Sequence, residues 1–171
     1  MYENLNDESK KAQISLIIIW ATMAMALFVY LLVCYMVLET NSMEFMKTPE
    51  FLDEVFIAGL SYKLLAYLSS TLIFIVAYMY SKNLYNKIVQ QTQSENIIDI
   101  DEEFKSFRTK YTTIMFISLA SYETIAILGI VIFLTTGDIV TFGVLVLTAF
   151  VGFTTVMPTR NRLNYKKEFI N

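Results

Sequence analysis

The 25 residues from Tyr111 to Thr135, YTTIMFISLASYETIAILGIVIFLT, carry a single charge and no proline. As a helix they rise about 37 Å, more than the ~30 Å hydrocarbon layer of a bilayer. Hydrocarbon offers the backbone no hydrogen-bond partner, so a run of this kind is expected to be a helix. The one charge is Glu123, twelve residues in and about 18 Å along the axis, near mid-bilayer. A carboxylate at that depth is costly, which makes it the first candidate for a functional group.

Three more apolar runs accompany it. Residues 12–38, AQISLIIIWATMAMALFVYLLVCYMVL, contain no charge, proline or glycine. Their length predicts a tilted span or an interfacial end, and Tyr35 lies at belt depth. Residues 59–80 form a second run, with Lys63 near its start, able to snorkel to the headgroups. Residues 139–157 form a fourth, closed by Pro158. The expected fold is all-α: one integral membrane domain of four transmembrane helices, arranged as two helical hairpins. The apolar run after Lys11 is too long for a signal peptide, and no small-residue cleavage site follows it.

Composition agrees. Hydrophobic residues make up 56% of the 171-residue chain and charged ones 17%, against about 25% in soluble domains. A net charge of −3 argues against a nucleic-acid partner. There is no histidine, and Cys34, the only cysteine, lies inside an apolar run. No disulfide, no metal site and no cofactor are therefore expected, and Cys34 reads as a packing residue.

The polar segments set the orientation. Residues 39–58 hold five acids and one lysine, Lys47. Within them, Thr48–Pro49 suits a helix start. Phe51, Leu52, Val55 and Phe56 then share one helical face, which predicts an interfacial helix leading into the second run. Residues 81–110 form the central loop. SKNLYNKIVQQ prolongs the preceding helix, TQSEN breaks it, and DIDEEF starts the next one, with acids at its N-terminus. Residues 135–138, TTGD, make a tight turn with positive φ available at Gly137. Lys10 and Lys11, five basic residues of 81–110, and Arg160, Arg162, Lys166 and Lys167 all fall on one side. The positive-inside rule puts both termini and the central loop in the cytoplasm.

Around Glu123, helical spacing gathers a small constellation. Ala120, Ala126 and Gly129 are small and would allow close helix packing. Antiparallel spans bring Ser69, Ser70 and Thr71 level with Glu123, and Thr124 and Tyr122 adjoin it. Their hydroxyls would bind a protonated carboxyl or help hold a cation. Burial disfavours the charged form of a carboxyl, as a proton-exchanging site requires. Two plainer roles remain open: a structural hydrogen bond between helices, and an ion pair with Lys63.

The segment from Glu123 to Leu134, ETIAILGIVIFL, resembles the ion-carrying helix of rotary ATPase c subunits, the membrane-ring proteolipids. Glu123, Ile127, Gly129, Ile130 and Val131 match that pattern in register, and Leu128 stands where those helices have tyrosine. The resemblance implies that Glu123 is a proton- or sodium-binding carboxylate. It extends over about twelve residues. The glycine-rich partner helix and the short polar loop of the proteolipids are absent, and Glu123 falls in the third span. The chain as a whole resembles small bacterial four-span membrane proteins of uncharacterised function that carry such a helix.

The expected function is an ion-linked, oligomeric component of the bacterial inner membrane. The alternative is a non-catalytic structural or assembly subunit of a larger membrane complex. Membrane lipid and further copies or subunits are the expected partners. No P-loop, GxSxG or HExxH motif is present, and the chain is not expected to be an enzyme.

Overall fold

The structure, a computed structural model, describes residues 2–40, 49–57, 60–94, 100–159 and 162. Helix α1 spans Tyr2–Thr40, α2 Tyr62–Ser94, α3 Ile100–Thr136 and α4 Ile139–Thr155. Apart from one small hairpin the architecture is all-α. Three apolar stretches, within α1, α2 and α3, are long enough to cross a membrane; α4 is apolar but has 17 residues and rises about 25 Å.

α2 continues beyond the apolar run through SKNLYNKIVQQ to Ser94, and α3 begins at Ile100 beside its acidic turn. The break expected at TQSEN, residues 92–96, does not begin at Thr92: Thr92 to Ser94 stay in α2, and 95–99 lie outside the described residues.

The segment before α2 differs from expectation. Pro49–Asp53 forms a single 3₁₀ turn rather than an interfacial α-helix. Val55–Ile57 (β1) then pairs antiparallel with Leu60–Ser61 (β2). Val-Phe-Ile is a β-branched and aromatic run, and an extended backbone suits it better than the helical face its spacing also allowed. Thr48 lies outside the described residues. Leu52 is buried, and the Phe51 ring stacks on Tyr62 at 4.7 Å, so the segment sits against the start of α2.

α3 and α4 are the most closely packed pair, and α1 and α2 each pack on both of them. Among the described residues direct α1–α2 packing is not among the principal contacts, whereas α2 packs closely on α3 as well. The turn between α3 and α4 is two residues long. Gly137 takes φ 72°, as its residue type predicts, and its N–H reaches the Phe133 carbonyl at 2.7 Å, an αL stop for α3.

The seam between α3 and α4 is shaped by glycine. A side chain at Gly129 would meet Leu145 and Phe142 at 3.2 Å, and one at Gly152 would overlap the Tyr122 ring. Backbones this close bring Tyr122, Ile125, Ala126, Phe133, Phe142, Leu145, Ala149 and Phe153 out of solvent entirely. The outward faces of α1 and α2 stay open and apolar, with Leu32 60% and Leu72 64% exposed.

Candidate functional site

Glu123 lies on a border of α3. At about 100° per residue, Ala120 and Ala126 fall about 120° apart, with Glu123 between them. Ala126 is fully buried and Ala120 is exposed. The two alanines therefore cannot line one helix contact: Ala126 and Gly129 pack inward, while Ala120 belongs to the outer face. Glu123 is half-buried and points to α1, where the Tyr30 hydroxyl donates to its Oε1 at 2.8 Å.

The expected ring of hydroxyls does not form there. Ser69 donates to the Ala66 carbonyl at 3.0 Å, Ser70 and Thr71 to the Tyr67 carbonyl at 2.9 and 2.7 Å, and Thr124 to the Ala120 carbonyl at 3.0 Å. Each satisfies its proton on its own helix, the usual solution for Ser and Thr within helices. Tyr122, one residue from Glu123, projects about 100° away. Its hydroxyl lies 3.2 Å from Thr155 of α4, and its ring packs against Phe74 of α2. α2 thus meets a different face of α3 from the one that carries the carboxylate.

Lys63 has a different partner from the one considered for it. Its Nζ lies 3.7 Å from Asp138 Oδ2. Asp138 caps α4: its Oδ1 accepts from the N–H groups of Val140 and Thr141 at 2.9 and 3.0 Å, and its Oδ2 accepts the Thr141 hydroxyl at 2.7 Å. Because Thr141 donates its one proton there, the Tyr67 hydroxyl at 3.3 Å is the donor to Thr141. Burial by itself pushes the Asp138 carboxyl up. The N–H and hydroxyl of Thr141, the Lys63 charge and the Val140 N–H outweigh it and hold the group below its ordinary value.

Tyr30, Asp138 and Thr141 were not singled out from sequence. Asp138 had a legible signal, an Asp immediately before an apolar run. Tyr30 had none, since nothing in an apolar run says which face meets α3. α1 is tied to α4 as well. The Trp20 indole donates to the Phe153 carbonyl at 2.8 Å, in the last turn of α4, so Trp20 works as a packing and capping residue.

Among the described residues, no cluster of His, Cys, Asp or Glu could hold a metal ion, and Cys34 is buried as a packing residue. Compared with known proteins, the chain matches no family model, no curated protein and no solved structure.

Proposed function

We propose that this chain is a four-span protein of the bacterial inner membrane, with both termini cytoplasmic, in which Glu123 is a proton-exchanging carboxyl coupled to the seating of α1. The observation that carries this reading is the 2.8 Å bond from Tyr30 to Glu123, made at a border position open to the outer surface. A lone carboxyl with one hydroxyl partner suits a proton better than sodium, because a bare cation demands several oxygen ligands at once and Ser69, Ser70, Thr71 and Thr124 are turned elsewhere. The pair joins two helices, so a change in the carboxyl's charge changes the contact between them. α4, at 17 residues, is at the lower limit for a span. The chain on this reading is a component of a membrane assembly, either a homo-oligomer or a subunit of a larger complex, and not an enzyme.

The test is labelling by a hydrophobic carbodiimide, which attacks the neutral carboxyl from the lipid phase. Membrane-embedded protein should be modified at Glu123 and at no other carboxyl within the helices, and Glu123→Gln should abolish the labelling. An unlabelled Glu123 across neutral pH would leave the non-catalytic structural subunit as the surviving reading. That second reading is supported by the open apolar faces of α1 and α2, which lipid or a further subunit would cover.

A further inference from the structure

A cavity of about 270 Å³ opens where α2, α3 and the end of α4 meet, and neither Tyr30 and Glu123 nor Lys63 and Asp138 line it. Lys82 and Arg162 line it together with Tyr78, Tyr85, Tyr111 and Thr155. Among the described residues none that lines it is acidic, and neither cation makes an ion pair with a described residue. The walls are fixed. The Tyr85 hydroxyl donates to the Arg162 carbonyl at 3.1 Å, the Arg162 N–H reaches the Thr159 carbonyl at 3.1 Å, and the Tyr85 and Tyr111 rings meet edge to face.

Tyr111 supplies a second, independent observation. It is 4% exposed, and its hydroxyl is buried without a formed hydrogen bond. The Arg162 guanidinium lies beside it, at the edge of hydrogen-bonding reach. A buried hydroxyl without a formed bond is uncommon in folded proteins, and this one lies with the Arg162 guanidinium on the wall of the cavity, where an acceptor between them would satisfy both.

The position narrows the ligand. Lys82 and Tyr85 follow directly on the apolar run of α2, Tyr111 opens that of α3, and Thr155 ends α4. The cavity is therefore at the boundary between apolar and polar chain, on the side rich in Lys and Arg. The Thr155 and Tyr85 hydroxyls already donate to the Gly152 and Arg162 carbonyls, which leaves two cations and the Tyr111 hydroxyl to match a phosphate with net negative charge. Basic pockets between membrane helices on this side receive anionic headgroups. The volume falls just below that of drug-sized sites, ~300–1,000 Å³.

We propose that this cavity binds the phosphate of an anionic phospholipid headgroup, held by Lys82 and Arg162 and oriented by the Tyr111 hydroxyl. The site is separate from Glu123 and stands whether or not that residue exchanges protons.

The experiment uses the full chain in neutral detergent, with lipid retention read by native mass spectrometry. The probes are phosphatidylglycerol, phosphatidylcholine and inorganic phosphate. Phosphatidylglycerol should be retained at one molecule per chain. Zwitterionic phosphatidylcholine has the same phosphate but brings a quaternary ammonium towards Lys82 and Arg162, and this like-charge repulsion should weaken retention at least about tenfold. Lys82→Gln combined with Arg162→Gln should lower phosphatidylglycerol retention by more than about tenfold. Lys105→Gln, an exposed lysine of α3 outside this cavity, should leave it unchanged. Equal retention of the two lipids, or equal retention by the double variant and the parent, would overturn the proposal. Retention of inorganic phosphate in place of lipid, lost in the double variant, would assign the cavity to free phosphate and would equally overturn the lipid assignment.

Discussion

Gly152 of α4 faces the ring of Tyr122 on α3 so closely that a Cβ has no room between them. The aromatic ring is wedged between helices, against Phe74 of α2, with its hydroxyl at Thr155. It cannot swing aside without unpacking two contacts.

The first prediction follows from that contact. Gly152→Ala should destabilise the protein by about 1–3 kcal/mol, as overpacking of a filled core does. Gly143, nine residues earlier on the same helix, has open space where its Cβ would be. There Gly→Ala should gain about 0.5–1 kcal/mol of helix propensity. Thermal melting in detergent compares the two. A Gly152→Ala protein as stable as Gly143→Ala would mean that α4 does not pack on Tyr122 as described.

The second prediction concerns pH and the α3–α4 turn. The Asp138 carboxyl is held below its ordinary value, so in its charged form it binds the Lys63 ammonium and the Thr141 donors better than in its neutral form. Its contribution is complete above the unfolded value of ~3.9 and is lost as pH falls through the lower folded value. Asp138→Asn keeps an oxygen to cap α4 and removes the charge, so its melting temperature should lose this acid-side dependence. Asp138→Ala removes the cap as well and should cost about 0.5–2 kcal/mol at neutral pH. Identical acid-melting curves for the parent and Asp138→Asn would show that the carboxylate contributes nothing through its charge.

What was legible in the sequence, and what was not, divides along physical lines. Run length alone indicated long apolar helices, because hydrocarbon leaves the backbone no other hydrogen-bonded form. Gly137 announced its turn because few other residues accept that φ. Faces were a different matter. Helices apolar on every side carry no stripe to say which side meets which neighbour, so Tyr30 went unseen and Ser69, Ser70 and Thr71 were placed by depth alone. Depth aligned them with Glu123; rotation about the axis turned them to their own carbonyls. At Val55–Ile57, helical and extended spacing competed over a run too short for either pattern to prevail on spacing alone.

Topology supplies the third prediction. With four spans and the basic flanks cytoplasmic, a single cysteine at Gln93, in a Cys34→Ala background, should be labelled only after the membrane is opened. One at Ser42 should react from outside intact cells. Reaction of Gln93→Cys from outside would reverse the orientation. Reaction of both positions from one side would mean that α2 does not separate them across the bilayer, contrary to the positive-inside count.

The last prediction separates a hydrogen bond from a working carboxyl. Tyr30→Phe and Glu123→Gln each remove part of the α1–α3 tie, and the double variant closes the cycle. Hydrogen bonds between membrane helices couple by about 0.6 kcal/mol on average and rarely exceed ~1.7, so the coupling energy should fall in that range. Glu123→Gln keeps an acceptor for the Tyr30 hydroxyl and cannot be protonated or charged in the ordinary range. If the carboxyl changes state in function, the stability difference between the parent and Glu123→Gln should vary with pH, and Tyr30→Phe should alter that variation. If Glu123 is a fixed structural acceptor, the difference should be flat across pH while the coupling to Tyr30 persists. A flat profile together with measurable coupling would therefore discard the proton-exchange reading and retain the 2.8 Å bond as a structural tie between α1 and the α3–α4 core. Absence of coupling would remove the bond itself, and with it the reason to assign Glu123 any role in seating α1.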